Sequence, residues 1–305
     1  MSYNKSLLVI LPSLCFLGCS HHELDVSKLA NKTAEEIYNI GNKYKNNKEY
    51  EDAVLAFEEV GNQYPYSKYV AESQFEAGKC YFQMKKYENA IATLETFIQT
   101  HVTHEKVPEA LYILGEIHFN QMPIVQRDQT ITVQSLEYFM ALCRYYPKCE
   151  YVTKAKEKIK ILLQHLANHE LKIGLYYQKL NNYTAAIARY NTIIESYGNT
   201  EVAEEAYHRL VECYLSLGIM EEASSVNIVL QSKHKNSKWA KYSNDLISKY
   251  SKQFVHNSNK SNSDNNLFKK ITNQKTNHES INRVKENVQN SKLNNKVPNK
   301  TYNRK

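Results

Sequence analysis

The chain has 305 residues, of which 42% are hydrophobic, and it contains only 8 glycines and 6 prolines. So few breakers favour long elements, and the composition predicts an all-α fold. The formal net charge is +7 and is concentrated at one end of the chain. The sequence has no Gly-rich phosphate loop, no GxSxG elbow and no HExxH run, which counts against an enzyme and against a bound cofactor.

The first eighteen residues have the pattern of an export signal. A single cation, Lys5, precedes the apolar run LLVILPSLCFLGC, which is too short to span a bilayer as a stable helix. The run ends at Gly18-Cys19 and resembles the lipobox of bacterial lipoproteins, which implies cleavage before Cys19 and lipid attachment to it. An ordinary cleaved signal peptide and a plain buried cysteine are the alternatives. We expect a lipoprotein signal peptide at residues 1–18 and a lipidated linker at residues 19–33.

A recurring period organises the middle of the chain. Small or branched residues recur at Gly41, Gly78, Gly115, Gly174 and Val211, with separations of 37, 37, 59 and 37 residues. With the aromatic and alanine positions around them, these landmarks resemble the tetratricopeptide pattern, in which a pair of antiparallel helices stacks on the next pair. We therefore expect a tetratricopeptide-repeat superhelix of about five helix-turn-helix repeats.

An aromatic phrase separates these repeats. This motif reads QYPYSKY at Gln63–Tyr69 and YYPKCEY at Tyr145–Tyr151. Two degenerate copies follow, SYGNTEV from Ser196 and KHKNSKW from Lys233. Proline disfavours continuation of the preceding helix, and a following Ser or Thr can cap the next one. The phrase therefore predicts where one repeat ends and the next begins.

The separation of 59 residues predicts an insertion and a long helix. The insertion reads QMPIVQRD at residues 121–128, and after the third repeat the chain continues almost without a breaker. We infer one helix from about Val152 to Leu180 that joins two blocks. Repeats 1–3 then occupy residues 34–147, and the joining helix with repeats 4 and 5 occupies residues 148–250.

The last part of the chain, residues 251–305, has a different composition. It holds 14 Asn, 12 Lys or Arg and 3 Asp or Glu, and its net charge is therefore near +9. A segment of this kind cannot bury a core, so we expect a disordered basic tail. Two interpretations of its charge remain open: contact with anionic lipid head groups, or the codon bias of an A+T-rich genome.

Two histidines form the best candidate for a metal site. His165 and His169 lie one helical turn apart on the joining helix. Two ligands do not define a metal site, so we expect structural histidines and no bound metal.

Four cysteines remain after a signal peptide and a lipidated cysteine are set aside: Cys80, Cys143, Cys149 and Cys213. None of them forms a CxxC pair. In an oxidising compartment Cys143 and Cys149 could form a disulfide, and the other interpretation is that all four are plain buried thiols.

Aromatic residues recur on the first helix of the early repeats. Tetratricopeptide arrays line their concave surface with positions 5 and 12 of this helix. In the first three repeats these positions include Tyr38, Phe75, Phe82, Tyr112 and Phe119. A rigid groove lined by such rings can hold an extended peptide at low entropic cost. The alternative is that the rings only pack between adjacent helices.

Two long segments give the chain a family resemblance. The segments RDQTITVQSLEYFMALCRYYPKCEY and LANHELKIGLYYQKLNNYTAAIARYNTIIESYGNT resemble the BamD family of outer-membrane assembly lipoproteins, and the resemblance extends from about Cys19 to Trp239. It implies a non-enzymatic component of the β-barrel assembly machinery, held by its lipid on the periplasmic face of the outer membrane. In that family the first repeats receive the targeting strands of unfolded barrel proteins. The last repeats dock on a POTRA domain of BamA, and other lipoproteins of the machinery are further partners.

The resemblance assigns one binding residue. Arg189, in the run AAIARY, matches the family arginine that meets an acidic POTRA surface, whereas a solvent-exposed helix cation is the other interpretation. Arg127 and Asp128 match the inserted loop, whose role stays open. A periplasmic scaffold of the Tol-Pal type is the alternative function, although such scaffolds usually carry a coiled coil before the repeats. No nucleic-acid partner is expected.

Overall fold

The computed structural model describes residues 24–258, and for residues 253–258 it describes the backbone alone. Within this part of the chain a 3-10 turn, Val26–Leu29, is followed by eleven α-helices, and no strand occurs. The helices are α1 (Ala34–Asn46), α2 (Tyr50–Gln63), α3 (Tyr69–Gln83), α4 (Tyr87–Thr100), α5 (Val107–Asn120), α6 (Thr130–Tyr145), α7 (Val152–Lys179), α8 (Tyr183–Ser196), α9 (Val202–Ser216), α10 (Met220–Lys233) and α11 (Lys238–Ser258). The all-α prediction is confirmed, and the expected joining helix is α7.

The chain divides into two compact units, one ending at His104 and the other beginning at Glu105. In the first unit α1 pairs with α2, and α3 pairs with α4. In the second unit the pairs are α5 with α6, α7 with α8 and α9 with α10, while α11 packs on α9 and α10. These five pairs are the five expected helix-turn-helix repeats.

The boundary between the units differs from the one expected after residue 147. The first half of α7 packs on the third repeat: Tyr151, the residue before α7, stacks on Tyr112 of α5 with ring centroids 5.0 Å apart. Lys158 of α7 also lies 3.0 Å from Glu116 of α5. The third repeat therefore belongs with α7 and the repeats that follow, because the long helix supplies its packing surface.

Close contact within four of the five pairs depends on a glycine of the first helix. A methyl group added to Gly41 would lie 2.6 Å from the ring of Phe57, far inside van der Waals contact. Equivalent contacts exist in three further repeats. The four contacts are Gly41 with Phe57, Gly78 with Leu94, Gly115 with Phe139, and Gly174 with Tyr190. A larger residue would push the two helices apart.

The turns between paired helices explain where the first helix ends in four of the five repeats. Lys48, Lys85, Asn181 and Gly218 have φ angles of 65°, 60°, 58° and 77°, and each lies between the two helices of its pair. The left-handed conformation stops the helix and reverses the chain. At the beginning of the first repeat, Thr33 and Glu36 form a capping box around the N-terminus of α1.

The aromatic phrase has a packing role besides ending a helix. Its last aromatic residue lies against the residue at position 5 of the preceding repeat, on the first helix of that repeat. The three such contacts are Tyr69 on Tyr38 at 5.3 Å, Tyr151 on Tyr112 at 5.0 Å, and Trp239 on His208 at 5.1 Å between ring centroids. The phrase therefore joins consecutive first helices within each unit, which is why an aromatic residue recurs there.

Part of the expected linker is folded. Leu29 is 1% exposed and packs with Ile37, Ala56 and Val60 in one cluster. The Tyr64 hydroxyl donates a hydrogen bond to the Lys32 carbonyl at 2.6 Å. Residues 24–33 are thus built onto the first repeat, because their apolar side chains cover its open end. Residues 1–23, with the predicted signal peptide and Cys19, lie outside the described residues.

The C-terminal helix continues further than expected. Helix α11 ends at Ser258, eight residues beyond the boundary predicted at residue 250. The rest of the predicted basic tail, residues 259–305, lies outside the described part of the chain. Between residues 24 and 258 no helix combines the length and the apolar character that a membrane span requires.

The four cysteines carry free thiols in this structure. Cys80 and Cys213 are buried, and burial raises the pKa of each thiol to about 12. Cys143 and Cys149 are half-buried and unbonded. The two buried cysteines act as small apolar residues of the repeat core.

Candidate interaction site

Arg189 lies on α8 in the second unit and is held by a carboxylate of α7. Its Nη1 atom donates a hydrogen bond to Oε2 of Glu170 at 3.1 Å. The Glu170 side chain is 16% exposed, whereas that of Arg189 is 42% exposed. A guanidinium carries five N–H donors, so this pair fixes the arginine and leaves donors for a second carboxylate.

The insertion before α6 is an ordered loop close to this pair. Gln129 is buried, and its Nε2 atom donates to the carbonyl oxygens of Ile124 at 3.0 Å and Arg127 at 2.9 Å. Asp128 Oδ1 accepts a hydrogen bond from the backbone N–H of Thr130, the first residue of α6, at 2.9 Å. Hydrogen bonds from Thr130 hold the pKa of Asp128 below its usual range. Arg127 itself is exposed.

The two histidines of α7 hold the same loop. His169 Nδ1 contacts the carbonyl oxygen of Val125, and the His165 ring donates a hydrogen bond to the carbonyl oxygen of Pro123. Burial lowers the pKa of His165, which favours its neutral form. Both residues therefore have a structural role in fixing the insertion. In residues 24–258 no group of three His, Cys, Asp or Glu side chains is arranged to hold a metal ion.

A cleft of about 430 Å³ opens between the loop, α6, α7 and the end of α8. Its walls are Asp128, Gln129, Thr130, Val133, Gln134, Glu137, Leu166, His169, Glu170 and Tyr197. Three of these residues, Asp128, Glu137 and Glu170, carry carboxylates. Glu170 belongs both to the cleft and to the ion pair with Arg189, so a half-exposed cation adjoins an acidic cleft. We call Arg189, Glu170 and this cleft the Arg189 site.

The expected aromatic groove residues of the first unit have different environments. Phe75 is 0% exposed and packs on Phe97, with ring centroids 5.5 Å apart, so its prediction as a peptide-contacting residue is wrong. Tyr38 is half-buried and lies between Tyr69 and Phe57. Among these three residues only Phe82 is partly exposed and has a ring that is not stacked on another. Its ring contact is a tilted one with Tyr87 of α4, and the two ring centroids lie 6.4 Å apart.

The two expected groove residues of the second unit, Tyr112 and Phe119, also differ in how far neighbouring rings cover them. Tyr112 is half-buried, stacks on Tyr151 and lies 5.6 Å from the ring of Phe139. Phe119 is half-buried, and the Lys158 ammonium lies over its ring, 3.9 Å from the ring centroid. For Tyr38, Phe75 and Tyr112 the packing interpretation therefore describes the contacts, because neighbouring rings cover them.

The first unit also has a groove on another face. It has a volume of about 500 Å³ and lies between α2 and α4, with α3 as its floor. Gly61 and Asn62 of α2 face Thr93 and Thr96 of α4 across it. None of the aromatic residues expected to bind peptide lines this groove.

A buried polar network on α9 has the order of groups found in serine hydrolases. Ser243 Oγ lies 2.8 Å from His208 Nδ1, and Glu212 Oε1 lies 3.3 Å from His208 Nε2. Ser243 is 0% exposed and His208 is 5% exposed, so no substrate can reach the hydroxyl. The network instead fixes α11 on α9, and Glu212 is further held by Arg209 at 2.9 Å and Gln178 at 3.0 Å.

The fold and the site define a class of protein: a helix-pair repeat protein with a charged site on its surface. Comparison with known families then gives its membership. The profile of a family described as YfiO, outer membrane lipoprotein, matches residues 30–230. The chain belongs to this family, whose curated members are the BamD outer membrane protein assembly factors.

Individual relatives agree over most of the chain. An outer membrane protein assembly factor BamD from Rickettsia prowazekii is 29% identical over 250 residues, which cover 82% of this chain and 99% of the relative. The BamD of Caulobacter vibrioides is 30% identical over 208 residues, 68% of each chain. Among solved structures, the TPR2AB-domain:pHSP90-complex of yeast Sti1 matches with a TM-score of 0.39 and 12% identity over 84% of this chain and 98% of that one.

Sequence reasoning singled out Arg189 but missed its partner. Glu170 lies 19 residues earlier, in the run LANHELK, and nothing in a helical pattern says which carboxylate a distant arginine meets. The sequence nevertheless contained an indication that these residues belong together. The family resemblance is carried by three short runs: RDQT, LANHE and AAIAR. The structure brings all three runs to one place.

Proposed function

We propose that this assembly factor is a non-enzymatic component of the β-barrel assembly machinery and binds BamA through the Arg189 site. The observation that carries the proposal is the convergence of the loop, α7 and α8 on Arg189, which Glu170 holds at 3.1 Å while 42% of the arginine side chain stays exposed. An arginine fixed in this way is preorganised to receive a carboxylate of an acidic POTRA surface.

The electrostatics of the site favour a partner with both signs of charge. Arg189 offers its remaining donors to a partner carboxylate, and the adjoining cleft offers Asp128 and Glu137 to a partner cation. Complementary charges of this kind set the orientation of a complex as well as its rate of formation. The size of the effect depends on burial: loss of a desolvated charge pair costs about 2 to 5 kcal/mol, and loss of a rim pair far less.

The experiment is an affinity pull-down of BamA from detergent-solubilised outer membranes. Arg189→Glu is expected to weaken BamA recovery with unchanged circular dichroism, because the variant reverses the charge that faces the partner and repels Glu170. Lys241→Glu, which reverses an exposed charge on α11, is the matched control and is expected to retain BamA. Equal recovery by both variants would make Arg189 a plain surface cation, and recovery of Tol-Pal components in place of BamA would favour the alternative scaffold function.

Two further parts of the proposal concern the membrane and the substrate. Covalent lipid at Cys19 would hold the chain on the periplasmic face of the outer membrane. Phe82 and Phe119 would contact the targeting strands of unfolded outer-membrane proteins, since these rings keep partial exposure whereas Phe75 does not. Other lipoproteins of the machinery would complete the set of partners.

A further inference from the structure

Two histidines of α7 hold the inserted loop, residues 121–128, by hydrogen bonds. The His169 ring donates to the carbonyl oxygen of Val125, and the His165 ring donates to that of Pro123. The loop has little packing of its own, since none of its eight residues is buried. A segment with so little buried surface opens at low cost, so its position on α7 depends on these two hydrogen bonds.

His169 faces an acidic cleft. It lines the cleft of the Arg189 site, whose other titratable residues are Asp128 of the loop, Glu137 of α6, Glu170 of α7 and Tyr197 at the end of α8. Carboxylates of three elements therefore surround this cleft, and a proton on His169 adds a charge of the sign that they attract.

His165 lacks such surroundings. Its Nε2 atom is buried and has no hydrogen-bond partner among residues 24–258. A neutral imidazole carries one N–H group, and His165 uses that group on the carbonyl of Pro123. A protonated imidazole carries a second N–H group, which would lie at the buried Nε2 atom without an acceptor. The docked loop therefore requires the neutral form of His165.

We propose that the two histidines form a pH-sensitive latch, in which protonation of His165 releases the inserted loop from α7. Release brings the imidazole into water, where its second N–H group finds an acceptor. Burial lowers the pKa of the docked His165 below the ordinary value of 6.5, and the neighbouring His169 lowers it further, against the opposing effect of the hydrogen bond to Pro123. The latch is therefore closed above pH 6.5 and loses stability as the pH falls below that value.

The latch regulates the Arg189 site, because the loop carries Asp128 into the cleft of that site. Release of the loop takes this carboxylate away, so the surface offered to a partner changes in both shape and charge. This consequence rests on the proposed function, since the cleft has a role only when a partner binds there, whereas the latch itself does not rest on it.

The test is amide hydrogen–deuterium exchange of the full-length protein, followed by mass spectrometry of the peptides that cover residues 121–129. Each rate is divided by the rate of the unfolded protein at the same pH, which removes the chemical effect of pH on exchange. The wild-type loop is expected to lose protection at least threefold between about pH 7.5 and about pH 5.5. His165→Asn is the decisive variant, because its amide can donate to Pro123 but takes up no proton. It is expected to keep the same protection at both pH values.

His101→Asn is the matched control. Burial also lowers the pKa of His101, but this residue belongs to the first unit, so the variant is expected to keep the wild-type response of the loop. Peptides from α8 report in the same spectra that the second unit is folded.

Unchanged protection of the wild-type loop, or equal losses in the wild type and in His165→Asn, would overturn the proposal. If His165→Asn fails to fold, exchange of the imidazole C2 hydrogen in the wild type gives the pKa of His165 directly, and a value at or above 6.5 would contradict the latch. None of these measurements involves BamA, so failure of the latch and failure of the proposed function are distinguishable.

Discussion

Glu212 shows how this fold keeps a partly buried carboxylate charged. Burial by itself would raise its pKa, but hydrogen bonds from His208, Gln178 and Arg209 lower the pKa to about 2. The folded-state pKa therefore lies below the ordinary value of 4.5. The charged carboxylate stabilises the fold above the ordinary value, and that stabilisation is lost as the pH falls towards the folded-state value.

We predict that Glu212→Gln lowers stability at pH 7 and that its deficit shrinks as the pH falls from about 5 to about 3, because the carboxyl group of the unfolded wild-type chain takes up a proton in this range while that of the folded protein stays charged. The deficit at pH 7 is expected to be about 1 to 2 kcal/mol after allowance for partial exposure. Thermal melts of both proteins across this range provide the measurement.

Glu221→Gln, which changes an exposed carboxylate on α10, is the control and should follow the wild-type melting curve. A deficit for Glu212→Gln that stays constant down to pH 3 would show that the network contributes through shape and not through charge. The outcome also bears on the site, since Gln178 and Glu212 connect α7 to α9.

At the scale of the elements, a repeat depends on the space between its two helices. Gly41 of α1 faces Phe57 of α2 so closely that a methyl group would overlap the ring at 2.6 Å. Gly61 of α2 has open space around it, with nothing within 4 Å of an added methyl group. The same substitution at these two positions therefore separates packing from helix propensity.

We predict that Gly41→Ala destabilises the protein by about 1 to 3 kcal/mol, because the overlap forces Phe57 or the α1 backbone to move. Gly61→Ala is expected to be neutral or to stabilise by up to about 1 kcal/mol, since alanine is the better helix former. Urea unfolding followed by circular dichroism measures both. Equal effects of the two variants would mean that the repeat can widen without loss, contrary to the contact at Gly41.

The phrase between repeats also has its meaning at the element scale. Its proline or turn residues end one helix, a local effect that a sequence pattern captures. Its final ring, as in Tyr69 or Tyr151, packs on a helix of the previous repeat, and only the folded chain shows which residue it meets. Tyr38 and Tyr112, which were expected to line a peptide groove, are therefore the residues on which these final rings pack.

At the scale of the whole molecule, two predictions concern where the chain resides and what it binds. The first is that Cys19→Ala releases the protein from the membrane, because the substitution removes the sulfur to which we propose the lipid is attached. Incorporation of radiolabelled palmitate and membrane fractionation measure this. Cys143→Ala is the control and should keep both label and membrane association, whereas absence of label from the wild type would refute lipidation.

The second prediction concerns substrate strands. Barrel targeting strands alternate their side chains and end in an aromatic residue, so they are expected to stack on Phe82 of the first unit and on Phe119 of the second, each taken by itself, since both rings keep partial exposure. Phe82→Ala combined with Phe119→Ala should lower the affinity for such a peptide at least tenfold, since two partly buried rings contribute on the order of 2 to 4 kcal/mol. Fluorescence anisotropy with a labelled peptide gives the affinities.

Tyr66→Ala is the control for that experiment. Tyr66 is fully exposed between α2 and α3, and it is at neither repeat position 5 nor repeat position 12. BamA binding should survive the double substitution, since the Arg189 site lies on α6, α7 and α8. Equal peptide affinities in equally folded proteins would assign Phe82 and Phe119 to packing, as the structure already does for Phe75.

The sequence by itself determined the repeats, because they depend on local patterns. These patterns are the helical period, a small residue opposite a large one within a pair, and a helix-breaking residue between pairs. It placed α7 at residues 152–180, and the structure has Val152–Lys179. It also identified the family runs around Arg189. These features follow from spacing along the chain, which a sequence states directly.

Only the tertiary structure decided the contacts between distant residues. It buried Phe75 although the repeat position suggested a groove, because Phe97 of the next helix covers its ring. It joined Arg189 to Glu170 and moved the boundary between units to His104, because the first half of α7 packs on the third repeat. Partner choice and burial depend on which surfaces meet in three dimensions, and that information is spread over the whole chain.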